Sequence, residues 1–235
     1  MSDLSGPEKE NIRQSKEYSV NKAILDFYFT KITKASPKIG PVFPPEYVYG
    51  TRYGMFRKNC TDFIERWEET KRVSKILKEL KTLDFIREIP AKFRSMNKML
   101  VYLGLVESLG VALADIVLVL LIANEKEVHT GGRFSKHATR IKELEKISLA
   151  NKLDFLNGER IEIFSRLINR ETRNKIAHLN FTIDEKGRIT GKDNKPIKID
   201  ARINDFWKGV HTLELIFEDI GFIKFFERGI SHKQS

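Results

Sequence analysis

Apolar positions recur at three- and four-residue steps along most of the chain, the period of a helix that buries one face. Between Glu8 and Lys34 the step is carried by Val20, Ile24, Phe27, Tyr28 and Ile32, which predicts one helix. Prolines at 37, 41, 44 and 45 forbid a helix there and mark a loop or extended connector. A second helix is predicted from Lys58 to Asp84, with Cys60, Phe63, Ile64, Trp67, Leu77 and Leu80 on one face, and Ile89-Pro90 interrupts the pattern again. The interruption divides the chain into an N-terminal helical extension, residues 1–90, and a main domain, residues 91–235.

The main domain opens with a long predicted helix from Ala91 to Asn124. Its second half is apolar almost all round, so neighbours must cover it on more than one side. His129-Thr-Gly-Gly-Arg133 makes a turn, and the next helix sets Phe134, Ala138, Ile141, Leu144 and Ser148 on one face. Asn157-Gly158 stops the chain, and a further helix from near Glu159 carries Ile161, Phe164, Ile168 and Ile176. There the period changes to two. Phe181 and Ile183 alternate with Thr182 and Asp184, Glu185-Lys186-Gly187 supplies a turn, and Ile189, Ile197 and Ile199 read as short returning strands. A last helix runs from Ala201 to Glu227 with Ile203, Phe206, Trp207, Val210, Leu213, Phe217 and Ile220 as its apolar stripe. The expected fold class is all-α, with a short β-hairpin.

Composition narrows the function. The 235 residues suffice for one good-sized core. A hydrophobic share of 41% is too high for a disordered tail, and a charged share of 31% is too high for a membrane protein. Forty-two Lys and Arg against 32 Asp and Glu leave a formal charge of +10, which favours an anionic partner such as nucleic acid without bearing on fold. Cys60 stands alone, so neither an intramolecular disulfide nor a thiolate metal cluster is available. Met99 to Ala123 has the length of a membrane span but contains Glu107 and Asp115. The charge-free run after Asp115 falls far short of the ~20 residues a span needs, so a buried helix is expected. The N-terminus lacks the apolar stretch of a signal peptide, and the expected location is cytoplasmic, with no membrane partner.

Several chemistries have no motif here: no phosphate-binding GxxxxGK[ST] loop, no GxGxxG after a strand, no HExxH and no Gly-x-Ser-x-Gly elbow. The five histidines, His129, His137, His178, His211 and His232, do not pair at metal-ligand spacing, so neither a metal nor a cofactor is expected. Tyr47 to Lys58 interleaves aromatic and cationic residues. Such a stretch can stack single-stranded RNA, or it can pin the preceding proline-rich loop to the core.

The segment Arg173-Asn174-Lys175-Ile176-Ala177-His178 holds the chemistry that remains. Arg166, Arg170 and Arg173 lie at i, i+4 and i+7, which on one helix would make a basic stripe, and Lys175 lies beside it. Asn174 and His178 are four apart, so the amide can orient the imidazole. An arginine that binds phosphate beside a histidine that moves a proton suffices to cut RNA without metal, because the ribose 2′-hydroxyl is itself the nucleophile. A regular helix would place Arg173 and His178 about 140° apart, so either the helix ends near Ala177 or two copies of the motif face each other. Glu107 and Asp115, on a mostly apolar helix, need partners: Arg173 is a candidate for one, any nearby Lys or Arg for either.

Arginine, asparagine and a histidine five residues after the arginine, late in a helical core and before a short hairpin, resemble the signature of the HEPN superfamily. The resemblance covers roughly residues 91–227. It implies a HEPN-like helical bundle in which Arg173 and His178 are the catalytic pair and Asn174 orients the histidine; Arg166, Arg170 and Lys175 are the candidate RNA contacts by their charge and position alone, and a solvated face is the other reading of the two arginines. It further implies a homodimer with a composite cleft and metal-independent endoribonuclease activity of the toxin or defence kind. An antitoxin or a nucleotidyltransferase is the kind of protein partner it suggests. The other reading open at this point is a non-catalytic HEPN-like module that binds RNA, a nucleotide or a protein partner; a helical adaptor with no nucleic-acid role is the third.

Overall fold

The structure is a computed structural model that describes residues 4–34, 89–124, 141–144 and 146–222, together with isolated positions 72, 73, 75, 76, 79, 126, 128 and 224. The proline-rich connector, the Tyr47–Lys58 stretch, Cys60 and the His129 turn lie outside the described residues. Of the helix expected from Lys58 to Asp84, the five described positions are all helical.

Ser5 starts the first helix. Its backbone N–H and its hydroxyl both donate to the Glu8 carboxylate, at 2.9 and 2.7 Å, which closes α1 (Gly6–Arg13) at its N-terminus. The Ser15 hydroxyl then accepts the Tyr18 N–H at 3.1 Å and begins α2 (Lys16–Lys34). The single helix expected from Glu8 is therefore two, because a serine cap interrupts a periodicity that runs through it.

Helix α3 (Ala91–Gly104) passes through a six-residue π-turn, Leu105–Gly110, into α4 (Val111–Ala123). Ala91–Ile122 is long and apolar enough to cross a membrane, and its most apolar stretch is 83% buried inside the protein. There follow α5 (Ile141–Leu144), α6 (Leu149–Gly158), α7 (Ile163–Leu167) and α8 (Arg170–Ala177). Ser148 caps α6 by accepting the Asn151 N–H. The helix expected from Glu159 onward is α7 and α8 instead, divided at Ile168-Asn169.

Strands β1 (Phe181–Ile183) and β2 (Ile189–Gly191) form an antiparallel hairpin in which Thr182 faces Thr190. Ile197 and Ile199 are not strands. Pro196 makes one isolated bridge to Thr190, and Ile199 opens α9 (Ile199–Asp219). Ile203, Phe206, Val210, Leu213 and Phe217 of α9 are buried, and Trp207 and Ile220 are packed at its edge. Helix α9 stops at Asp219, where Gly221 turns the chain at φ 73°.

The described chain is thus mostly helical, with one two-stranded hairpin. Helix α9 packs on α7, α3, α2 and α1, while α4 is covered by α2 and α6. Tyr18, Leu25, Tyr28 and Phe29 from before residue 90 belong to the same hydrophobic cluster as Leu105, Phe164 and Phe206 from after it. Two glycines permit the close approaches. A Cβ on Gly110 would meet Ile168 and Phe206 at 3.0–3.2 Å, and one on Gly209 would meet Leu167 at 3.1 Å. Side-chain-free surface at these points lets the segment leading into α8 press onto the bundle.

Candidate functional site at the end of α8

Asn169 launches the helix that carries the motif. Its side-chain oxygen accepts the Thr172 N–H at 2.9 Å, which supplies one of the partners a helix start lacks. The Tyr102 hydroxyl, from the buried face of α3, holds the Asn169 backbone: it accepts the N–H at 3.2 Å and donates to the carbonyl at 3.4 Å. Burial pushes the Tyr102 phenol up to about 12, so it stays a neutral donor and acceptor across the ordinary pH range. Thr172 and Ile176 face the core, which leaves Arg173, Asn174 and Lys175 partly exposed.

The helix ends at Ala177, and His178 is its C-cap at φ −100° and ψ 12°. Leu179 follows in the left-handed region at φ 53°, a position that usually goes to glycine. Its N–H donates to the Ile176 carbonyl and that of Asn180 to the Lys175 carbonyl, at 3.1 and 2.8 Å, so two of the orphan carbonyls of the last turn are satisfied. This tight reversal sends the chain directly into β1 and leaves the His178 and Leu179 side chains exposed. The release of His178 by a helix ending at Ala177 is the first of the two arrangements the sequence allowed.

Arg173 and Asn174 are brought together. The Arg173 Nε donates to Glu107 Oε1 at 2.5 Å, and its Nη1 donates to Asn174 Oδ1 at 3.1 Å. Glu107 sits in the π-turn, the irregular helical geometry that often marks a functional position. Asn174 therefore serves the guanidinium. The expected bond from Asn174 to the imidazole is absent, and among the described residues the His178 ring makes no hydrogen bond.

The other three basic residues are spread apart. The break at Ile168-Asn169 removes the common helix on which Arg166 would have stacked with Arg170 and Arg173. Arg166 instead reaches Glu17 on α2 at 2.9 Å, and Arg170 reaches Asp154 on α6 at 3.4 Å. Lys175 lies between Glu171 at 2.7 Å and Asp193 at 2.9 Å, which ties α8 to the turn after β2. These hydrogen bonds raise the lysine and lower both carboxylates from their ordinary values. Glu107 is legible in the sequence from its isolation in an apolar run. Glu17, Asp154 and Asp193 are not, since an acid among other surface charges gives no sign of a partner far along the chain.

A cleft of about 640 Å3 opens elsewhere, among Ser95, Arg188, Thr190, Lys198 and Asp200, and Arg173 and His178 do not line it. Among the described residues no three His, Cys, Asp or Glu side chains gather as metal ligands. No family model matches the chain, no curated protein is significantly similar to it, and no solved structure is significantly similar to it.

Proposed function

We propose that the chain is a HEPN-like, metal-independent endoribonuclease of the cytoplasm, acting as a toxin or defence protein. The observation that carries this reading is a guanidinium bonded to Glu107 and Asn174 five residues before an exposed histidine that ends the helix. Arg173 would bind the scissile phosphate and stabilise the charge that builds up on it. The His178 imidazole would take the proton from the 2′-hydroxyl as its oxygen attacks the neighbouring phosphorus. The bond to the 5′-oxygen breaks, that oxygen takes up a proton, and the products end in a 2′,3′-cyclic phosphate and a 5′-hydroxyl.

A single histidine in each copy of the motif supplies one proton-transfer group, so a second copy would complete the cleft. An exposed apolar stripe on α3, made of Phe93, Met96 and Leu100, supports a homodimer. An antitoxin is the proposed restraining partner, and a nucleotidyltransferase is the protein partner that belongs to the non-catalytic alternative. Incubation of the full chain with RNA in EDTA tests the activity. RNA is expected to be cut to cyclic-phosphate ends while its DNA counterpart stays whole, and cleavage that needs added metal ions would overturn the mechanism.

Two observations favour a second reading. The imidazole lacks an orienting hydrogen bond, and Arg166, Arg170 and Lys175 each face a carboxylate. A non-catalytic module that binds RNA, a nucleotide or a protein partner fits that arrangement, and it would bind RNA in the same assay without cutting it.

A further inference from the structure

The Arg173 guanidinium has three nitrogen donors, and their partners differ. Nε is taken by Glu107 and Nη1 by Asn174, whereas Nη2 has no partner among the described residues. Both acceptors stand on helical backbone: Asn174 is a residue of α8, and Glu107 belongs to a π-turn whose Leu105, Val106, Leu109 and Gly110 are all buried. A guanidinium is planar and rigid, so fixing two of its nitrogens fixes the direction of the third. We infer that Glu107 is a positioning residue which holds Arg173 so that Nη2 is presented to a phosphate oxygen of the bound nucleic acid. The inference rests on the proposed ribonuclease reading and adds a residue to its machinery.

Glu107 has two opposed effects on an anionic substrate. Its negative charge, next to the arginine, weakens the attraction of the resting site for phosphate. Its hydrogen bond fixes the geometry in which the arginine meets the charge that develops during reaction. Loss of the carboxylate therefore separates binding from turnover. Glu107→Ala is expected to lower kcat about tenfold or more while KM is unchanged or reduced, the pattern of an interaction that acts on the transition state. Glu107→Gln keeps an oxygen that accepts from Nε and is expected to recover most of the rate. A merely structural role would not be repaired in this way while the thermal transition stayed the same.

The experiment measures kcat and KM in EDTA for the full-length wild type, Glu107→Ala and Glu107→Gln. A second arm, independent of cutting, follows the Arg173 Nε–H NMR signal, assigned by its loss in Arg173→Lys, as an uncleavable 2′-O-methyl RNA oligonucleotide is added. The signal is expected to keep its slowed exchange with water when the oligonucleotide is bound, and Arg173→Ala is expected to bind the oligonucleotide more weakly than wild type. Three results would overturn the inference: a Glu107→Ala protein with wild-type kcat, an Nε–H signal lost on binding, or equal oligonucleotide affinity for Arg173→Ala and wild type. A wild type that cuts no RNA removes the ribonuclease reading; the Nε–H signal, retained on binding in wild type and lost in Glu107→Ala, then decides on Glu107, and the affinity arm on Arg173.

Discussion

Lys152 and Asp115 meet at 2.6 Å with side chains 2% and 0% exposed, so a full ion pair lies inside the bundle between α6 and α4. Burying two charges is costly, and the pair holds because each offsets the desolvation of the other. Lys152→Ala removes the ammonium beside a buried carboxylate. The expected loss is about 3–5 kcal/mol, read from the urea midpoint, and the double change Lys152→Met with Asp115→Leu should lose much less. Asp115 was legible as an acid in an apolar run that needed a counter-charge. Lys152 was not, because a lysine in Leu149-Ala-Asn-Lys-Leu-Asp154 reads as part of a solvated face. The same asymmetry holds at the candidate site. Glu107, Arg173, Asn174 and His178 all stood out in sequence, but that Asn174 bonds the arginine rather than the histidine is set by side-chain directions that spacing does not encode.

Among elements, α8 is short, and eight residues form a helix in water only with outside support. Asn169 and the Tyr102 hydroxyl give that support at its start. Asn169→Ala is expected to cost about 1 kcal/mol of stability, visible as a lowered thermal midpoint, with the hairpin after α8 losing amide protection first. The long spans around α4 and α9 were legible because their apolar positions recur without interruption; the one helix expected through Ile141, Leu144 and Ser148 is divided into α5 and α6, with Ser148 as the cap of α6. The divisions at Gln14-Ser15 and Ile168-Asn169 were not legible. Tyr18, Leu25 and Phe29 keep facing the core after the first break, as Thr172 and Ile176 do after the second, so the periodicity survives a change of helix. The cap residues Ser15 and Asn169 were the local sign of a restart. The π-turn leaves no comparable sign, since Leu105 to Gly110 continue the apolar pattern of the helices on either side.

At the scale of the whole molecule, the N-terminal helices are clasped to the closing helix. Arg13 grips Asp219 through Nε at 2.9 Å and Nη2 at 2.8 Å, and the Tyr18 hydroxyl bonds the same carboxylate. The break at Ile89-Pro90 was legible, but the sharing of one core across it was not, because contacts between α1 or α2 and α9 join residues some 200 positions apart. Hydrogen bonding from Arg13, and then from Tyr18, holds the Asp219 carboxyl below its ordinary value. Its contribution is therefore fully present above the ordinary aspartate range and is lost as pH falls through the lowered value. Asp219→Asn should lose about 1–2 kcal/mol at neutral pH, and the gap from wild type should close as pH falls through the lowered carboxyl value. Stability measured by denaturant at several pH values checks the sign. What the assembled molecule does to RNA is decided by one comparison: the cleavage rate of His178→Ala against wild type in EDTA, with thermal transitions recorded alongside. The variant is expected to melt within a few degrees of wild type and to leave the RNA intact; equal cutting by the two proteins would take His178 out of the reaction.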